Sequence, residues 1–324
     1  MVERKDTASE EAFQGVRAPV VVIVGPTASG KSEVAQLVAL TLGGEVISAD
    51  SMQIYRGMDI GTAKLPLHER LVYHHLIDIL DPGQAYSAQL FQQQARQCFS
   101  DIENRGLVPV LCGGTGLYVQ AALEDMRFPS GEQVSNPIRQ KYEAFAHDKG
   151  NQALWKLLNK RDPASAACIH PHNTRRVVRA LEMAEEGVSY AEQVKNIRQL
   201  DEVIPSWRFY LKRDPKLLAQ RINRRVDQMI SAGLVDEVKG LLAEGFRSTL
   251  TAPQAIGYKE IVAYLDDRCS LEQAVESIKT ATRRYAKRQR SWFKRDSRLI
   301  ELDADVLTPG QIVDFICSTV HGAK

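Results

Sequence analysis

The sequence lacks the features that would tie it to a membrane, a disulfide framework or a zinc site. Among its 324 residues, no apolar run reaches the roughly 18 residues that a membrane-spanning helix needs. The five cysteines are odd in number and scattered, and they never form C-x-x-C, which is typical of free thiols in a reducing cytosol. The pairs His74-His75 and His170-x-His172 have no accompanying ligand motif, which favours structural or surface roles. We therefore expect a cytoplasmic protein with no membrane partner.

Composition constrains the function only weakly. The net charge is +2, and 44% hydrophobic with 25% charged residues is the balance of an ordinary globular protein. Residues 1–18 are polar and mixed in charge, unlike a secretory signal, so we expect a disordered tail there. The length suits one large domain or a domain with an insertion. The function must therefore be inferred from motifs.

The most informative motif is a phosphate-binding loop, GPTASGKS, which matches G-x-x-x-x-G-K-[ST] in full. The β-branched run at 20–24 predicts a buried strand before it, and apolar residues at helical spacing predict a helix after it. In such a loop, backbone N–H groups at the helix N-terminus bind phosphate, the lysine adds positive charge and the serine hydroxyl ligates Mg²⁺. We expect a diphosphate or polyphosphate ligand at Gly25, Pro26, Thr27, Ala28, Ser29, Gly30, Lys31 and Ser32, with Ser32 as the metal ligand. The loop alone leaves open whether phosphate is transferred or only leaves.

Strands alternate with helices through the first part of the chain. After the first strand, the pattern predicts a helix capped by Ser87 that runs to about Asn104, and further strands at 45–49, 76–80 and 107–111. This alternation predicts an α/β fold, a doubly wound parallel sheet like that of P-loop NTPases. Ligands of such sheets bind beyond the carboxyl ends of the strands, where the loop, Asp50 and the segment CGGTGLY (112–118) all fall.

The pattern changes between residues 125 and 205. This segment is polar and helical, with no convincing strand, and it predicts an all-helical insertion domain. Strand patterns return at 207–211 and 298–302, the latter as an edge strand. The core is therefore expected to be discontinuous, formed by residues 19–124 and 206–324.

A basic helix near the C-terminus indicates a nucleic-acid partner. The stretch Lys279–Arg295, KTATRRYAKRQRSWFKR, holds eight basic residues and no acidic one, on a helix that starts with a capping box at Ser270. Ile278, Tyr285 and Trp292 lie seven apart, so one apolar face anchors the helix and the others remain basic. A phosphodiester backbone is the natural partner of such a surface, although a solvated helix end is the alternative.

A second basic cluster starts a helix of the insertion. Its three arginines, Arg175, Arg176 and Arg179, fall within one and a half turns after Asn173. They could pair in cis with the glutamates that follow, Glu182, Glu185 and Glu186, or bind nucleic acid. Spacing alone favours neither.

Taken together, these stretches resemble the tRNA dimethylallyltransferase (tRNA isopentenyltransferase) family, in its bacterial form. The similarity runs from about Val20 to Arg298 through GPTASGKS, ISADSMQIYRGMDIGTAK, HHLIDIL, LCGGTGLY, DPASAACIHPHNTRRVVRALE, RINRRVDQMISAGLVDEV, QAIGYKE and ATRRYAKRQRSWF. The resemblance implies transfer of the dimethylallyl group of dimethylallyl diphosphate to the N6 amine of the adenosine 3′-adjacent to the anticodon (position 37), in tRNAs reading codons that start with U. Diphosphate is then the leaving group, no ATP is consumed, and the partner is the tRNA anticodon stem-loop. We expect a monomer.

The resemblance also implies roles for individual residues. Asp50 matches the general base, with a magnesium-linked role as its alternative, and Thr115 matches a position between the two substrates. Either Arg221 or Arg225 matches the arginine that contacts the diphosphate, with Arg221 favoured. The implied tRNA path, completed by three residues of the basic helix, comprises Asp50, Ser51, Met52, Gln53, Thr115, Arg175, Arg176, Arg179, Gln254, Gly257, Lys259, Arg284, Lys287 and Arg288.

Three other functions share some of these motifs. A small-molecule kinase would explain the phosphate loop and the arginine-bearing helix, but not the insertion or the basic helix. A prenyltransferase acting on free AMP, ADP or ATP would share the loop and Asp50, but would not need two basic surfaces. An RNA-binding module with a nucleotide switch would not need Asp50 and Thr115 beside the loop.

Overall fold

A computed structural model describes residues 19–128, 136–196, 200–246 and 252–322. The predicted tail at 1–18 lies outside these residues. The chain divides into two compact units. One, called here the core unit, comprises the chain up to Leu123 and from Ile204 onward; the other, the insertion unit, comprises Glu124–Val203. The insertion predicted at 125–205 covers nearly the same span.

The core unit is built on one parallel sheet. Its six strands have the order β3-β2-β4-β1-β5-β6, and every neighbouring pair is parallel. This confirms the predicted doubly wound α/β sheet, with β6 as an edge strand. The strands are β1 (Val20–Val24), β2 (Gly44–Ala49), β3 (His74–His75), β4 (Val108–Gly113), β5 (Ser206–Lys212) and β6 (Ile300–Asp303).

The described part of the core unit contains eight α-helices. They are α1 (Lys31–Leu42), α2 (Ala88–Asn104), α3 (Gly116–Leu123), α9 (Pro215–Ser231), α10 (Leu234–Ala243), α11 (Tyr258–Leu265), α12 (Leu271–Phe293) and α13 (Pro309–His321). Two predicted helix starts are confirmed. Ser87 accepts the N–H of Leu90 at the start of α2, and Ser270 forms a capping box with Gln273 at the start of α12.

The sheet is buried on both faces, which explains the uninterrupted apolar run of β1. Val20, Val22 and Val24 pack on the side of α2 and α3, whereas Val21 and Ile23 pack on the side of α1 and α13. Successive side chains of a strand point to opposite faces, so both sets must be apolar when helices cover both faces. The carboxyl ends of the strands remain free to carry the loops of a site.

The strand predicted at 76–80 is wrong. Only His74 and His75 pair with β2, and the chain then leaves the sheet with left-handed backbone at Leu76 (φ 59°) and Asp78 (φ 57°). Asp78 takes this conformation while its carboxylate pairs with the Lys64 ammonium and its N–H donates to the Gln53 carbonyl at 3.1 Å. Tertiary contacts of a polar residue therefore override the apolar alternation of this segment.

The insertion unit has its own small core. Its helices are α4 (Pro137–Lys149), α5 (Asn151–Arg161), α6 (Pro163–Cys168), α7 (Thr174–Glu185) and α8 (Tyr190–Asn196). Buried residues from four of them, among them Tyr142, Leu154, Ala166 and Leu181, pack together. Within its described residues the unit has no strand, only an isolated bridge between Glu124 and Glu202. No helix in the described ranges of either unit is long and apolar enough to cross a membrane.

Candidate active site

The phosphate loop joins β1 to α1 in the predicted order. Its backbone is left-handed at Ala28 (φ 63°) and Gly30 (φ 97°), and Gly30 is the N-cap of α1. Left-handed turns of this kind direct backbone N–H groups towards one centre at a helix N-terminus, the arrangement that binds an anion. The local geometry is therefore that of a phosphate site.

Three side chains from other elements hold consecutive residues of the loop, 27–29. The amide oxygen of Gln289 accepts the N–H of Thr27 at 2.9 Å. Arg221 Nε donates to the Ala28 carbonyl at 2.9 Å. Arg213 Nε donates to the Ser29 carbonyl at 3.2 Å. The loop is thus held in one conformation by contacts within the protein, which lowers the entropy cost of ordering it when a ligand binds.

Two cations and one carboxylate meet beside the loop. Burial lowers the pKa of Lys31, and the nearby charge of Arg225 acts in the same direction. Burial also lowers the pKa of Arg225, whereas the Asp50 carboxylate raises it. Because both cations lose hydration and repel each other, a bound anion would stabilise the charged form of each.

The two candidate arginines of α9 occupy different positions. Arg225 is half-buried and interacts electrostatically with Lys31 and Asp50. Arg221, one turn earlier, is exposed and holds the outer side of the loop through Ala28. Geometry therefore places Arg225, rather than the favoured Arg221, on the side of Lys31 and Asp50.

Asp50 and Thr115 lie at the ends of neighbouring strands and are joined through the backbone. Asp50 Oδ1 accepts the N–H of Met52 at 2.9 Å, which fixes its rotamer. Thr115 Oγ1 accepts the N–H of Ser51 at 3.2 Å, and its own N–H donates to the carbonyl of Ala49 at 3.2 Å. The base candidate and the residue predicted to lie between the substrates are thus brought together by the sheet.

Helix α12 contributes two residues to this site. Gln289 is only 5% exposed, and its Nε2 donates to the Gly114 carbonyl at 3.0 Å while its oxygen holds the phosphate loop. The Tyr285 hydroxyl lies near Thr115 and Gln289. Burial, reinforced by the Asp50 charge, raises the pKa of Tyr285 to about 12. Tyr285 therefore stays protonated at neutral pH and can donate a hydrogen bond.

Sequence reasoning missed these two roles. It assigned Tyr285 only to an apolar anchor and gave Gln289 no role. A signal was available, because Gln289 is uncharged within a basic run and shares a helix face with Tyr285 and Trp292. The same face packs so closely that a Cβ at Gly116 would lie 2.2 Å from Trp292 Cδ1.

A small cavity of about 40 Å³ adjoins the loop, and the oxygen-bearing part of its mixed lining fits a hard cation. Oxygen-bearing side chains of Ser32, Ser48 and Asp50 line it together with Lys31. In the described ranges, no three His, Cys, Asp or Glu side chains come together as a metal cage. Mg²⁺ does not require such a cage, because it keeps water and binds mostly through substrate phosphates with one or two protein oxygens.

The predicted tRNA-contacting residues of the core unit differ in solvent exposure and in their hydrogen bonds within the protein. Arg284, Lys287 and Arg288 are exposed, with the Arg288 guanidinium 5.6 Å from the Tyr285 ring centre. The side chain of Gln53, by contrast, accepts from Ser48 Oγ at 3.0 Å and donates to the Thr62 carbonyl at 3.2 Å. Gln254 and Lys259 are exposed, whereas Gly257 is buried at the start of α11 with φ 99°.

In the insertion unit, the arginines of α7 divide into two groups. Arg179 pairs with Glu182 at 3.3 Å, as the cis alternative predicts. Arg175 and Arg176 are exposed and form no ion pair with a described residue. Of the other two candidates, Glu185 is bound by Arg161 at 2.7 Å, and Glu186 is exposed. Two of the three arginines therefore remain available to a ligand.

Comparisons with known proteins identify the family of this chain. The family model described as IPP transferase matches residues 53–296, and the one described as isopentenyl transferase matches residues 18–75. A tRNA dimethylallyltransferase of Thermoanaerobacter sp. (strain X514) is 46% identical over 279 residues, 85% of this chain and 88% of the relative.

Solved structures show the same similarity. The crystal structure of the tRNA isopentenylpyrophosphate transferase from Bacillus halodurans is 43% identical with a TM-score of 0.68, covering 94% of this chain and 98% of that one. A eukaryotic dimethylallyltransferase acting on tRNA is 29% identical with a TM-score of 0.76, covering 94% and 80%. With a family model matched over most of its length and relatives similar almost end to end, the chain belongs to the tRNA dimethylallyltransferase family.

Proposed function

We propose that this protein transfers the dimethylallyl group of dimethylallyl diphosphate to the N6 amine of adenosine 37 in tRNAs reading codons that start with U. The observation that carries the proposal is the juxtaposition of a preformed phosphate loop with Asp50 and Thr115 at neighbouring strand ends. That arrangement provides a leaving-group site beside a base. The relatives' names point to tRNA as the acceptor rather than free adenylate.

The phosphate loop, Lys31 and Arg225 would bind the diphosphate and neutralise the charge that develops as it leaves. An allylic carbon loses diphosphate readily because its positive charge is delocalised, so leaving-group stabilisation is the main electrostatic demand. Arg225 suits this role because it lies beside Lys31 and Asp50, whereas Arg221 holds the loop from outside. The loop therefore acts as a handle on the leaving group, and no phosphoryl group is transferred.

Mg²⁺ fits this site through the Ser32 hydroxyl, next to the Asp50 carboxylate in the same cavity. When bound, it would add positive charge to the diphosphate. Dependence of turnover on Mg²⁺ is part of the proposal.

Asp50 would accept the proton that the adenosine amine loses as the new C–N bond forms. One of its oxygens is held by the Met52 N–H at 2.9 Å, and the other forms no hydrogen bond with a described residue. The demand on the base is mild, because the amine becomes acidic only as it is alkylated. Thr115, joined to Ser51, and the Tyr285 hydroxyl would orient the acceptor.

The adenosine must leave its loop stack to reach Asp50, which is least costly for an unpaired base. We propose that exposed basic residues of both units bind the anticodon stem-loop around it, chiefly Arg175, Arg176, Lys259, Arg284, Lys287 and Arg288. Ser51, Met52, Gln53, Gln254 and Gly257 would shape the path, and Arg179 would contribute while paired with Glu182. The core unit of one chain holds every proposed catalytic group, which supports a monomer. The cytoplasm is the proposed place of action, because the scattered cysteines are typical of free thiols in a reducing compartment.

A single-turnover experiment tests the function. Purified protein and Mg²⁺ are incubated with radiolabelled dimethylallyl diphosphate and either unmodified tRNA, AMP or ATP. We expect label in tRNA, at adenosine 37, and none in AMP. Label in AMP would instead indicate a free-nucleotide prenyltransferase. ATP hydrolysis without label transfer would indicate a kinase-like enzyme.

A further inference from the structure

The carboxylate of Glu237, on α10, is bound by four hydrogen-bond donors at once. It accepts the backbone N–H groups of Asp59 (3.0 Å), Ile60 (2.7 Å) and Gly61 (3.2 Å), and the hydroxyl of Tyr258 at 2.6 Å. Successive backbone N–H groups converging on one anion form a nest, a strong fixed contact. This carboxylate therefore fixes the loop and Tyr258 to the same point.

The contact is reinforced by shape. A Cβ at Gly61 would lie 2.4 Å from the ring of Tyr258, so only glycine allows the loop to approach it so closely. Tyr258 is fully buried, and burial together with the Glu237 charge raises its pKa, which keeps its hydroxyl a donor. The anchor thus combines charge, hydrogen bonds and close packing.

The anchored residues connect directly to the acceptor half of the site. The side chain of Gln53 donates to the backbone carbonyls of Thr62 and Ala63, and the backbone carbonyl of Gln53 accepts the N–H of Asp78. Lys64, whose side chain is 3% exposed, donates to Tyr55 and Asp59 and pairs with Asp78. The position of residues 59–64 is therefore transmitted to the segment that begins at Asp50.

Tyr258 lies within the segment 254–259, the second stretch of the core unit on the proposed tRNA path. Glu237 thus joins two stretches that are distant in sequence, 50–64 and 254–259, without belonging to either. Both stretches pack on one apolar cluster that includes Ile54, Tyr55, Ala255 and Tyr258, but apolar packing alone does not specify their register. A directional contact such as that of Glu237 does.

We propose that Glu237 is a positioning residue that sets the geometry of the acceptor half-site by holding the loop 50–64 against Tyr258. The inference rests on the proposed function, because the half-site is the one assigned there to tRNA. It predicts a specific signature: loss of Glu237 impairs the use of tRNA and leaves the diphosphate half-site intact.

The test compares Glu237→Gln and Tyr258→Phe with Asp236→Asn, a matched control that removes charge from an exposed neighbour on the same helix. Glu237→Gln turns one acceptor into a donor that faces backbone N–H groups. We expect its KM for an anticodon stem-loop RNA to rise roughly tenfold, the effect of about 1.4 kcal/mol. The KM for dimethylallyl diphosphate should stay within about twofold, and Tyr258→Phe should show a smaller rise of the same kind.

Hydrogen exchange provides a readout that does not depend on activity. Peptides covering 50–64 should exchange faster in Glu237→Gln than in wild type, while those covering the phosphate loop should not change. An unchanged RNA KM, or equal losses for both substrates, would overturn the inference. If Glu237→Gln does not fold, Tyr258→Phe decides the question by the same two measurements. Failure of the wild-type enzyme to label RNA would instead refute the proposed function, so the two failures are distinguishable.

Discussion

At the scale of single residues, the hydrogen bond that holds the proposed base does not depend on its charge. The Met52 N–H would bond to an asparagine oxygen at position 50 as well as to the carboxylate. Asp50→Asn should therefore preserve this hydrogen bond while removing the proton acceptor and the negative charge beside Lys31 and Arg225. We expect a fall in kcat of roughly 10² to 10⁴, the usual contribution of a general base.

RNA affinity separates this role from a structural one. Filter binding of the stem-loop RNA to Asp50→Asn should give a Kd within about threefold of wild type, less than one hydrogen bond is worth. A large loss of RNA binding with preserved kcat would show that Asp50 contacts RNA rather than the proton.

The two arginines of α9 provide a matched pair. Arg225→Gln removes a cation beside Lys31, so we expect the KM for dimethylallyl diphosphate to rise and kcat to fall, together about 10²-fold in kcat/KM. Arg221→Gln removes a contact to the carbonyl of Ala28 on the outer side of the loop, and should cost about tenfold or less. Steady-state kinetics with dimethylallyl diphosphate as the varied substrate measure both, and the reverse ranking would return the diphosphate role to Arg221.

At the scale of elements, α12 presents two groups of side chains on different faces. Tyr285 and Gln289 face the site, while Arg284, Lys287 and Arg288 are exposed. A helix places residues four apart on one face, so the sequence period separates the two groups of side chains.

Neutralising the three basic residues of α12 together tests its exposed surface. The variant is Arg284→Gln/Lys287→Gln/Arg288→Gln. For RNA binding, its slope of log K against the logarithm of the salt concentration should become about 0.7 less negative for each phosphate contact removed. The KM for dimethylallyl diphosphate should not change, because these side chains do not line the loop. The control is Lys216→Gln/Lys239→Gln/Arg268→Gln, which removes three exposed cations from other elements of the core unit. Equal slopes in the two triple variants would exclude α12 as an RNA surface.

The edge of the sheet depends on another charged contact. Glu45 of β2 accepts two hydrogen bonds from Arg105 at 2.6 Å and contacts His75 of β3 at 2.7 Å. The Arg105 bonds, helped by His75, lower the pKa of Glu45 from 4.5 to about 2. Because this pKa is lowered in the folded state, the ionised Glu45 carboxylate contributes its full stabilisation above pH 4.5. That stabilisation is lost as the pH falls towards 2.

Glu45→Gln should therefore lower the free energy of unfolding at pH 7 by about 1 kcal/mol, allowing for solvent screening. The difference in the free energy of unfolding between Glu45→Gln and wild type should shrink as the pH falls below 4.5. Urea unfolding at several pH values measures this, with the exposed Glu244→Gln as control. A difference that stays constant down to pH 3 would contradict the assignment.

At the scale of the whole molecule, the insertion unit leaves and rejoins the core at one point. The N–H of Ile204 donates to the carbonyl of Leu123 at 3.1 Å, so the two ends of the insertion are adjacent. The unit has its own buried core, and none of its described residues forms a strand of the sheet in the core unit. Each unit therefore has the means to fold separately.

Replacing residues 124–203 with a short Gly/Ser linker tests this division. We expect the remaining core to unfold cooperatively and to bind dimethylallyl diphosphate with a Kd within a few-fold of wild type, measured by calorimetry. RNA affinity should fall at least roughly tenfold, because Arg175 and Arg176 are removed. A core that fails to fold, or that keeps full RNA affinity, would show that the insertion has a different role.

Local patterns were sufficient for much of the fold. The apolar run of β1, the loop motif and the caps at Ser87 and Ser270 each depend on neighbouring residues, and all form as predicted. The segment 76–80 does not form the predicted strand. Its backbone is left-handed at Leu76 and Asp78, and contacts of Asp78 with Lys64 and Gln53 outweigh the apolar alternation of the segment. Local periodicity predicts an element only where no distant polar partner competes for its backbone.

The sequence by itself therefore determined the parallel sheet, the phosphate loop and the family, because these follow from short motifs and from apolar periods within single elements. Only the tertiary structure decided that Arg225 lies beside Lys31 and Asp50, that Gln289 joins the phosphate loop to the turn before Thr115, and that Glu237 holds the loop 50–64. Each of these contacts joins residues far apart in the chain. Their partners are set by how helices pack on the sheet, and no local pattern encodes that packing.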